Sequence, residues 1–234
     1  MDIRGKCRAF AAERCATYDA SHDIHHIDRV VKNSLKILSL SDDATKEIIQ
    51  IDILLAIASL HDTYDHKYLT TEAAATKARS EVIEFIGTEC GFTPDVVEIV
   101  SAVIDNMGFT SEISGKSNKQ LPSLTIKYLE IVQDADRLDA IGAVGIARCF
   151  AYIGAFKLPM ISESGRDELD QRHRFTEGHL RAAARRGKTA IEIIFDKLVF
   201  LKDRLKTPPG KALGEERHKF MLSFLDQFFD EISD

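Results

Sequence analysis

Tryptophan is missing from the 234-residue chain, and its 13 Phe and 5 Tyr recur at helical spacing instead of forming a flat aromatic platform. This spacing is more typical of a helical core than of a surface that stacks nucleic-acid bases. The net charge of −6 also argues, weakly, against a protein that coats nucleic acids. We therefore expect no nucleic-acid partner, and the aromatic residues carry no signature for a particular base.

Paired cysteines are missing as well. Cys7, Cys15, Cys90 and Cys149 are scattered and form no CxxC pair, so neither a zinc knuckle nor a CxxC redox motif is indicated. The N-terminal stretch has no long apolar core and no small-residue cleavage site, so we expect no signal peptide. The longest apolar stretch, around 51–60, is too short to span a bilayer. These absences predict a cytoplasmic protein with four free thiols and no membrane partner.

Strand and phosphate-loop signals do not occur either. The chain has no alternating segments joined by Asn-Gly or Asp-Gly, no glycine-rich phosphate loop and no short-period repeat. Because apolar residues recur at helical spacing nearly everywhere, we predict an all-α fold, a single-domain helical bundle. No linker rich in Pro, Gly or Ser divides residues 1–234. We expect a helical core at about 20–155, with C-terminal helices at about 188–232 packing on it.

Caps and breakers divide the pattern into helices. Ser21 is a candidate N-cap for the second helix, Thr70 or Thr71 for the fourth, and Thr93 with Pro94 for the fifth. The third helix is apolar all round, which predicts a central position. A run from Leu124 makes one long helix or two nearly joined ones, and Pro208-Pro209-Gly210 separates the last two helices. The other predicted helices cover about 3–18, 22–39, 44–62, 72–90, 94–108, 189–206 and 211–232.

Two segments fall outside these helices. Residues 111–123 are typical of a polar loop. Residues 157–187 are mixed and basic, and two interpretations stay open: a mobile, lid-like insertion or a solvated connector. The apolar C-terminal helix is expected to pack within the chain in preference to pairing with a partner, so the protein is a monomer or a homodimer.

Metal-capable side chains gather at three places: the start of the second helix, the end of the third, and the run from Leu124. Carboxylates in an otherwise apolar helix need an exposed edge or a cation beside them. A divalent ion meets this need, and neutral imidazoles ligate it well. Two His and two Asp from three helices fill four octahedral positions and leave two open. The candidates are His22, His25, His26, His61, Asp62, Asp134, Asp136 and Asp139.

Taken singly, each cluster has an ordinary explanation, such as a surface histidine or a salt-bridged helix face. Their occurrence together, in this order, is much harder to dismiss. The segments SHDIHHIDRVV, LHDTYDHK and QDADRLDAIGAVGIAR resemble the signature of the HD-domain metal-dependent phosphohydrolases. The resemblance is to a stand-alone bacterial-type branch acting on nucleotides or related phosphate esters, and it extends through most of the chain. These motifs specify the superfamily far better than the substrate.

The resemblance implies a metal-ligand set within the core at about 20–155. Its members are His26, His61, Asp62 and Asp136. Either His25 or His26 could be the first metal ligand, and the family motif selects His26. Dinuclear relatives, including oxygenases, place further His ligands before the last Asp, where this chain has only His66, so a mononuclear hydrolytic site is favoured. The expected cofactor is one divalent ion, Mn²⁺ or Mg²⁺, with other transition metals open because two imidazoles suit them.

The same resemblance implies catalytic and substrate-binding roles. Asp65 would accept a proton from the attacking water or align it, and Lys67 would hold a phosphate oxygen. Asp134 and Asp139 are better explained as supporting groups or ion-pair partners, for example of Arg29 or Arg137. The alternative role is a helix cap for His22 and a solvated helix face for Lys197 and Lys202. The substrate-binding candidates are His22, His66, Arg29, Lys197 and Lys202.

The expected partner is a small phosphate ester, and the expected reaction is metal-dependent hydrolysis of nucleoside or deoxynucleoside triphosphates with pyrophosphate release. Two alternatives stay open: a phosphatase acting on nucleoside monophosphates, and a nucleotide-binding regulator or sensor with weak or no turnover. Asp65 counts against the sensor, because a degenerate site need not keep an acid at that position.

Overall fold

The computed structural model describes residues 2–64, 69, 71–108, 112, 121–162 and 189–232. Within these ranges the regular structure is helical and no β-strand occurs, which confirms the predicted all-α class. The N-terminal helices are α1 (Ile3–Cys15), α2 (Ile24–Leu40), α3 (Asp43–Ile48), α4 (Ile51–Leu60), α5 (Glu72–Thr88) and α6 (Pro94–Asp105). They are followed by α7 (Ser123–Asp139), α8 (Gly142–Ala155), α9 (Ala190–Asp196), a 3₁₀ segment (Leu198–Arg204) and α10 (Pro208–Ile232).

These helices form two compact units. The first contains Met1–Tyr18 and His22–Asp136, and the second contains Asp19–Ser21 and Arg137–Asp234. The single domain expected over the whole chain stays a prediction. Among the described residues, no single helix is long and apolar enough to cross a membrane, and α7 and α8 reach that length and composition only when they are joined as one bent pair.

Helix α4 is the centre of the first unit. Its residues from Ile53 to Leu60 are all buried, because the helix is apolar around its circumference. Helices α1, α2 and α6 pack against it, and Ala11 and Ile27 are buried together where α1 meets α2. At the rim of that contact, Arg8 donates two charge-assisted hydrogen bonds to Asp28, at 2.7 and 2.8 Å.

The single helix predicted over 44–62 is wrong, because the chain breaks at Ile49 and Gln50 into α3 and α4. At the break the Gln50 N–H donates to the hydroxyl of Tyr128, at 2.8 Å, and Tyr128 is fully buried on α7. In a continuous helix this N–H would bond to the carbonyl of Lys46 instead. The hydrogen bond from the Gln50 N–H to the buried Tyr128 hydroxyl therefore replaces the bond that a continuous helix would make, and it fixes where α4 begins.

The predicted N-cap of α2, Ser21, is also wrong. Asp23 caps this helix, and its Oδ1 accepts hydrogen bonds from the backbone N–H groups of His25 at 3.0 Å and His26 at 3.1 Å. A carboxylate at this position satisfies two otherwise unpaired donors and complements the positive end of the helix dipole. His26 consequently lies at the third helical position, within the first turn.

The start of α5 agrees with one of its two candidate caps. The hydroxyl of Thr71 accepts a hydrogen bond from the Ala74 N–H at 3.2 Å, whereas Thr70 lies outside the described residues. The predicted polar loop at 111–123 and the excursion at 157–187 lie largely outside them too. Both interpretations of the excursion therefore stay predictions.

In the second unit α8 packs against α9 and α10. The preceding helical segment ends before Pro208, as predicted, but the start of the last helix at 211 is wrong, because Pro208 begins α10. The hydroxyl of Thr207 accepts from the Gly210 N–H at 3.0 Å, and a proline at the first helical position loses no helical hydrogen bond. The helix predicted over 189–206 is likewise divided at Lys197 into α9 and the 3₁₀ segment.

The run from Leu124 forms two helices, one of the two alternatives that its pattern allowed. Helix α7 ends at Asp139, and α8 begins at Gly142, whose φ of 74° lies in the left-handed region that glycine adopts readily. A Cβ on Gly142 would also lie 2.9 Å from Cβ of Arg217. The turn between the two helices therefore requires glycine on two counts.

We predict opposite effects for two alanine substitutions on α8. A Cβ on Gly145 would overlap the backbone carbonyl of Ala140, which cannot swing aside as a side chain can, whereas a Cβ on Gly154 meets nothing within 4 Å. Gly145→Ala should lower the free energy of unfolding by about 1–3 kcal/mol, and Gly154→Ala should leave it unchanged or raise it by up to about 1 kcal/mol. Urea denaturation measures both, and equal effects would contradict the close approach.

Candidate metal centre

Helix α2 supplies the first group of the centre, His26. Its side chain is completely buried, and its backbone N–H is held by the Asp23 cap one turn earlier. The neighbouring His25 is exposed. The motif-based choice between these two residues thus agrees with burial, since the two side chains point to opposite environments.

The end of α4 supplies the second and third groups, His61 and Asp62. The ring Nδ1 of His61 lies 3.0 Å from the carbonyl of Ala58, so it acts as the donor and leaves Nε2 with its lone pair toward the centre. Both residues follow directly on the buried helix, whose rigid packing fixes their position. The His61 side chain is buried, and that of Asp62 is 15% exposed.

Helix α7 supplies the fourth group, Asp136, and two buried amides set the position of this helix. Asn33 of α2 donates to the carbonyl of Ala135 at 3.1 Å, next to the carboxylate. Gln133, one turn earlier, donates to the carbonyl of Asn106 at the end of α6, at 2.9 Å. An unpaired buried amide is costly, so these two bonds hold α7 in register with α2 and α6.

Together these side chains bring four potential ligand atoms to one point. The Nε2 of His26 lies 3.3 Å from the Nε2 of His61, 3.2 Å from Oδ2 of Asp62 and 3.6 Å from Oδ1 of Asp136. The Nε2 of His61 lies 3.6 Å and 3.9 Å from the same two oxygens. Among the described residues, His26, His61 and Asp62 form the group of metal-capable side chains whose ligand atoms all lie within 4.8 Å of one another, and Asp136 approaches both of its histidines.

The spacing fits a divalent ion. Ligands bound at about 2.1 Å lie about 3.0 Å apart at right angles and about 3.4 Å apart at a tetrahedral angle. The observed separations run from 3.2 to 3.9 Å, so modest closure around an ion suffices. Two imidazole nitrogens and two carboxylates are donors that Mn²⁺ and other transition ions accept well. The donor set and its geometry therefore suit a single divalent cation.

Carboxylates near the centre add to the cost of placing a further negative charge beside it. Cys15 on α1 is buried, and burial, with the carboxylates of Asp62 and Asp23 adding to it, raises the pKa of this thiol to about 12. A negative field that disfavours a second anion favours a cation in the same place.

The remaining sequence-based candidates divide into three groups. His22 packs edge-on against the ring of His26, with centroids 5.8 Å apart, and Arg29 is half-buried on the same helix. Lys197 and Lys202 belong to the second unit, and the Lys202 ammonium pairs with Glu215 at 3.4 Å. Asp65, His66 and Lys67 lie outside the described residues. The roles of all seven stay predictions.

The two other aspartates of α7, Asp134 and Asp139, are buried completely or nearly so. Asp139 forms an ion pair with Arg148 of α8 at 3.1 Å, and Arg148 also donates to the carbonyl of Ser21 at 2.6 Å. Arg148 was not predicted from the sequence, where Arg29 and Arg137 were the example partners. Arg137 donates to the carbonyl of Arg204, at 2.6 Å.

A network beyond the doublet was also missed. The hydroxyl of Tyr64, two residues after Asp62, donates to Asp105 at 3.0 Å, and Arg79 binds the same carboxylate in a bidentate manner. Burial, with the Asp105 charge adding to it, raises the pKa of Tyr64 above its usual range. The three residues come from different helices and turns, so no local sequence signal joins them.

Comparison with known proteins gives the class of the chain. No family model matches it. The uncharacterized protein YpgQ of Bacillus subtilis is 32% identical over 213 residues, covering 91% of this chain and 85% of YpgQ. The crystal structure of YpgQ in complex with ADP has a TM-score of 0.66 at 25% identity, covering 98% of this chain and 97% of that chain.

Two further crystal structures are similar over nearly the whole chain. A Lactobacillus plantarum protein has a TM-score of 0.72 at 29% identity, covering 98% of this chain and 96% of its own. An HD-superfamily hydrolase from Bacillus thuringiensis has a TM-score of 0.65 at 26% identity, covering 97% and 95%. The chain belongs to the HD superfamily of metal-dependent phosphohydrolases. Within that superfamily it shares a family with YpgQ.

We predict that two adjacent histidines differ sharply in metal binding. His26→Ala removes a buried nitrogen at the point of convergence and should lower Mn²⁺ affinity about 100-fold or more, whereas His25→Ala removes an exposed ring and should leave it unchanged. Calorimetric titration and the metal content after gel filtration measure this. Circular dichroism verifies that both variants fold, and equal affinities in the two variants would exclude His26 as a ligand.

Proposed function

We propose that this phosphohydrolase acts on nucleotides and that its main reaction is hydrolysis of nucleoside or deoxynucleoside triphosphates to monophosphates with release of pyrophosphate. The observation that carries the proposal is the position of the His26 and His61 Nε2 atoms, which lie 3.3 Å from each other and 3.2–3.9 Å from carboxylate oxygens of Asp62 and Asp136. A mononuclear donor set with positions left over for water and phosphate is suited to hydrolysis.

Two further observations support a nucleotide substrate. The branch that the sequence motifs resemble acts on nucleotides or related phosphate esters, and the relative YpgQ was crystallised with ADP. The four cysteines are free thiols, which agrees with the proposed cytoplasmic location, where nucleotides are abundant. Mn²⁺ or Mg²⁺ is the proposed ion, and two imidazole nitrogens favour Mn²⁺.

The four convergent side chains would hold the metal, which when bound would polarise a phosphate oxygen and lower the pKa of a coordinated water. In the proposed reaction Asp65 accepts a proton from the water as its oxygen attacks the α-phosphorus, and the bond to the bridging oxygen breaks to release pyrophosphate. His61 keeps its Nε2 available because its Nδ1 is occupied by the Ala58 carbonyl.

The remaining charges of the substrate are assigned to basic and polar side chains. Lys67 neutralises a phosphate oxygen as a point charge, and His22, His66 and Arg29 contact the nucleotide. Lys197 and Lys202 are added because the family resemblance extends through most of the chain, and their interaction with substrate is a prediction from sequence.

The test is product analysis on the purified protein. Nucleoside mono- and triphosphates, ribo and deoxy, are incubated with Mn²⁺ or Mg²⁺ and the wild type, Asp62→Ala or Asp65→Asn. We expect pyrophosphate from triphosphates only, loss of activity in Asp62→Ala, and a decrease of about 10²–10⁴-fold in Asp65→Asn. Asp52→Asn is the matched control, because Asp52 is an exposed carboxylate at the start of α4.

The possible products separate the alternatives. Inorganic phosphate from monophosphates would overturn the pyrophosphohydrolase and leave a phosphatase with the same metal centre. Absence of turnover with every metal, together with tight metal retention by the wild type, would identify a nucleotide sensor. Full activity in Asp65→Asn would remove this residue from the mechanism.

We predict that Tyr64→Phe affects turnover more than metal binding. The lost hydrogen bond to Asp105 fixes the backbone one residue before Asp65, and small displacements of a catalytic group are costly. We expect kcat to fall about tenfold while Mn²⁺ content is unchanged. Tyr152→Phe on α8 is the control, and identical kcat values in the two variants would show that the Asp105 network does not position this segment.

A further inference from the structure

A pair of thiols lies in the first unit, away from the residues assigned to hydrolysis. Cys7 on α1 and Cys90 just after α5 are 83 residues apart in sequence, and their Sγ atoms are 3.7 Å apart. Cys7 is completely buried, whereas Cys90 is half-buried and borders solvent. Forming an S–S bond of about 2.05 Å would require each sulfur to move by less than about 1 Å.

The surroundings of the pair distinguish the two sulfurs. The hydrogen bond between them lowers the pKa of Cys90, with the Lys6 ammonium adding to the effect, and raises the pKa of Cys7 above its usual range. Lys6 is held at this place because it donates to the carbonyl of Glu89 at the end of α5. The ammonium acts on both thiols, and the solvent-facing Cys90 is the one whose pKa falls below its ordinary value.

The two other cysteines provide an internal comparison. Cys15 and Cys149 are buried, and burial raises the pKa of each thiol to about 12. Neither has a cysteine as its hydrogen-bond partner among the bonds that the described residues make, and Cys149 donates to the carbonyl of Ala190. Both should therefore be inert where Cys90 reacts.

We propose that Cys90 and Cys7 form a thiol modification site, in which a hydroperoxide oxidises Cys90 and Cys7 then closes a reversible disulfide. In the first step the Cys90 thiolate attacks one peroxide oxygen, the O–O bond breaks, and the second oxygen leaves as an alcohol or water after taking up a proton. In the second step the Cys7 sulfur attacks the Cys90 sulfur, and the hydroxyl leaves as water with the Cys7 proton.

The electron count of this reaction balances. The two thiols together lose two electrons and two protons, and the peroxide gains both to become an alcohol or water and one further water. A dithiol such as dithiothreitol reverses the reaction by exchange. The product links α1 to the end of α5 within one unit, and its formation does not depend on the proposed nucleotide hydrolysis.

The test uses the reduced full-length protein and hydrogen peroxide in equimolar amount. We expect four titratable thiols to become two, the intact mass to fall by about 2 Da, and a peptide containing Cys7 linked to Cys90 to appear in a non-reducing digest. Dithiothreitol should restore the starting state. Cys15→Ser and Cys149→Ser should still form the disulfide, whereas Cys7→Ser should stop at a Cys90 sulfenic acid that dimedone traps.

A second measurement needs no variant and therefore does not depend on folding of a serine mutant. Iodoacetamide should alkylate Cys90 in the native wild type at least about tenfold faster than Cys15 or Cys149 at pH 7. Oxidation of Cys15 or Cys149 ahead of Cys90, or a persistent Cys90 sulfenic acid in the wild type, would overturn the proposal. Equal alkylation rates at the three cysteines would overturn it as well.

Discussion

The first unit must hold two buried imidazole nitrogens close together, and the rest of its structure depends on this constraint. The Nε2 atoms of His26 and His61 lie 3.3 Å apart beside two carboxylates. A group of lone pairs and negative charges in a low-dielectric interior is costly unless a cation compensates it. The burial of the apolar residues of α4 against the surrounding helices provides stabilising free energy that offsets this cost. A divalent ion that binds only this arrangement would stabilise the folded unit and so would link metal binding to folding.

Directional hydrogen bonds set how far each helix extends toward that point. Apolar faces alone tolerate sliding of one helix along another, whereas an amide bonded to a specific carbonyl does not. Asn33 bonds to the carbonyl of Ala135, next to Asp136, Gln133 of the same helix bonds to the carbonyl of Asn106 at the end of α6, and Tyr128 decides where α4 begins. Because α4 has ten residues and ends directly before His61, the location of its start also fixes the position of His61 and Asp62 along the helix axis.

The sequence predicted the helical class, the central apolar helix, and the segments that carry the four convergent side chains. Those predictions depend on local periodicity and on contiguous motifs, which a single chain displays directly. The errors share a different cause. The break at Gln50 depends on Tyr128, 78 residues away, and the Arg148 partner of Asp139 depends on how α8 packs. The roles of Asp65 and Lys67 rest on the motif alone, because both lie outside the described residues.

The thiol pair illustrates the same limit of local patterns. A search for CxxC examines neighbours in sequence, but Cys7 and Cys90 become neighbours only when α1 packs beside the end of α5. Helical spacing puts Cys7 and Cys15 on one buried face of α1, about 12 Å apart along the axis. One end of this face meets Lys6 and Cys90, and the other meets the field of Asp62. We therefore expect Cys90 to react with its neighbour Cys7, whereas burial, with the Asp62 charge adding to it, keeps Cys15 inert.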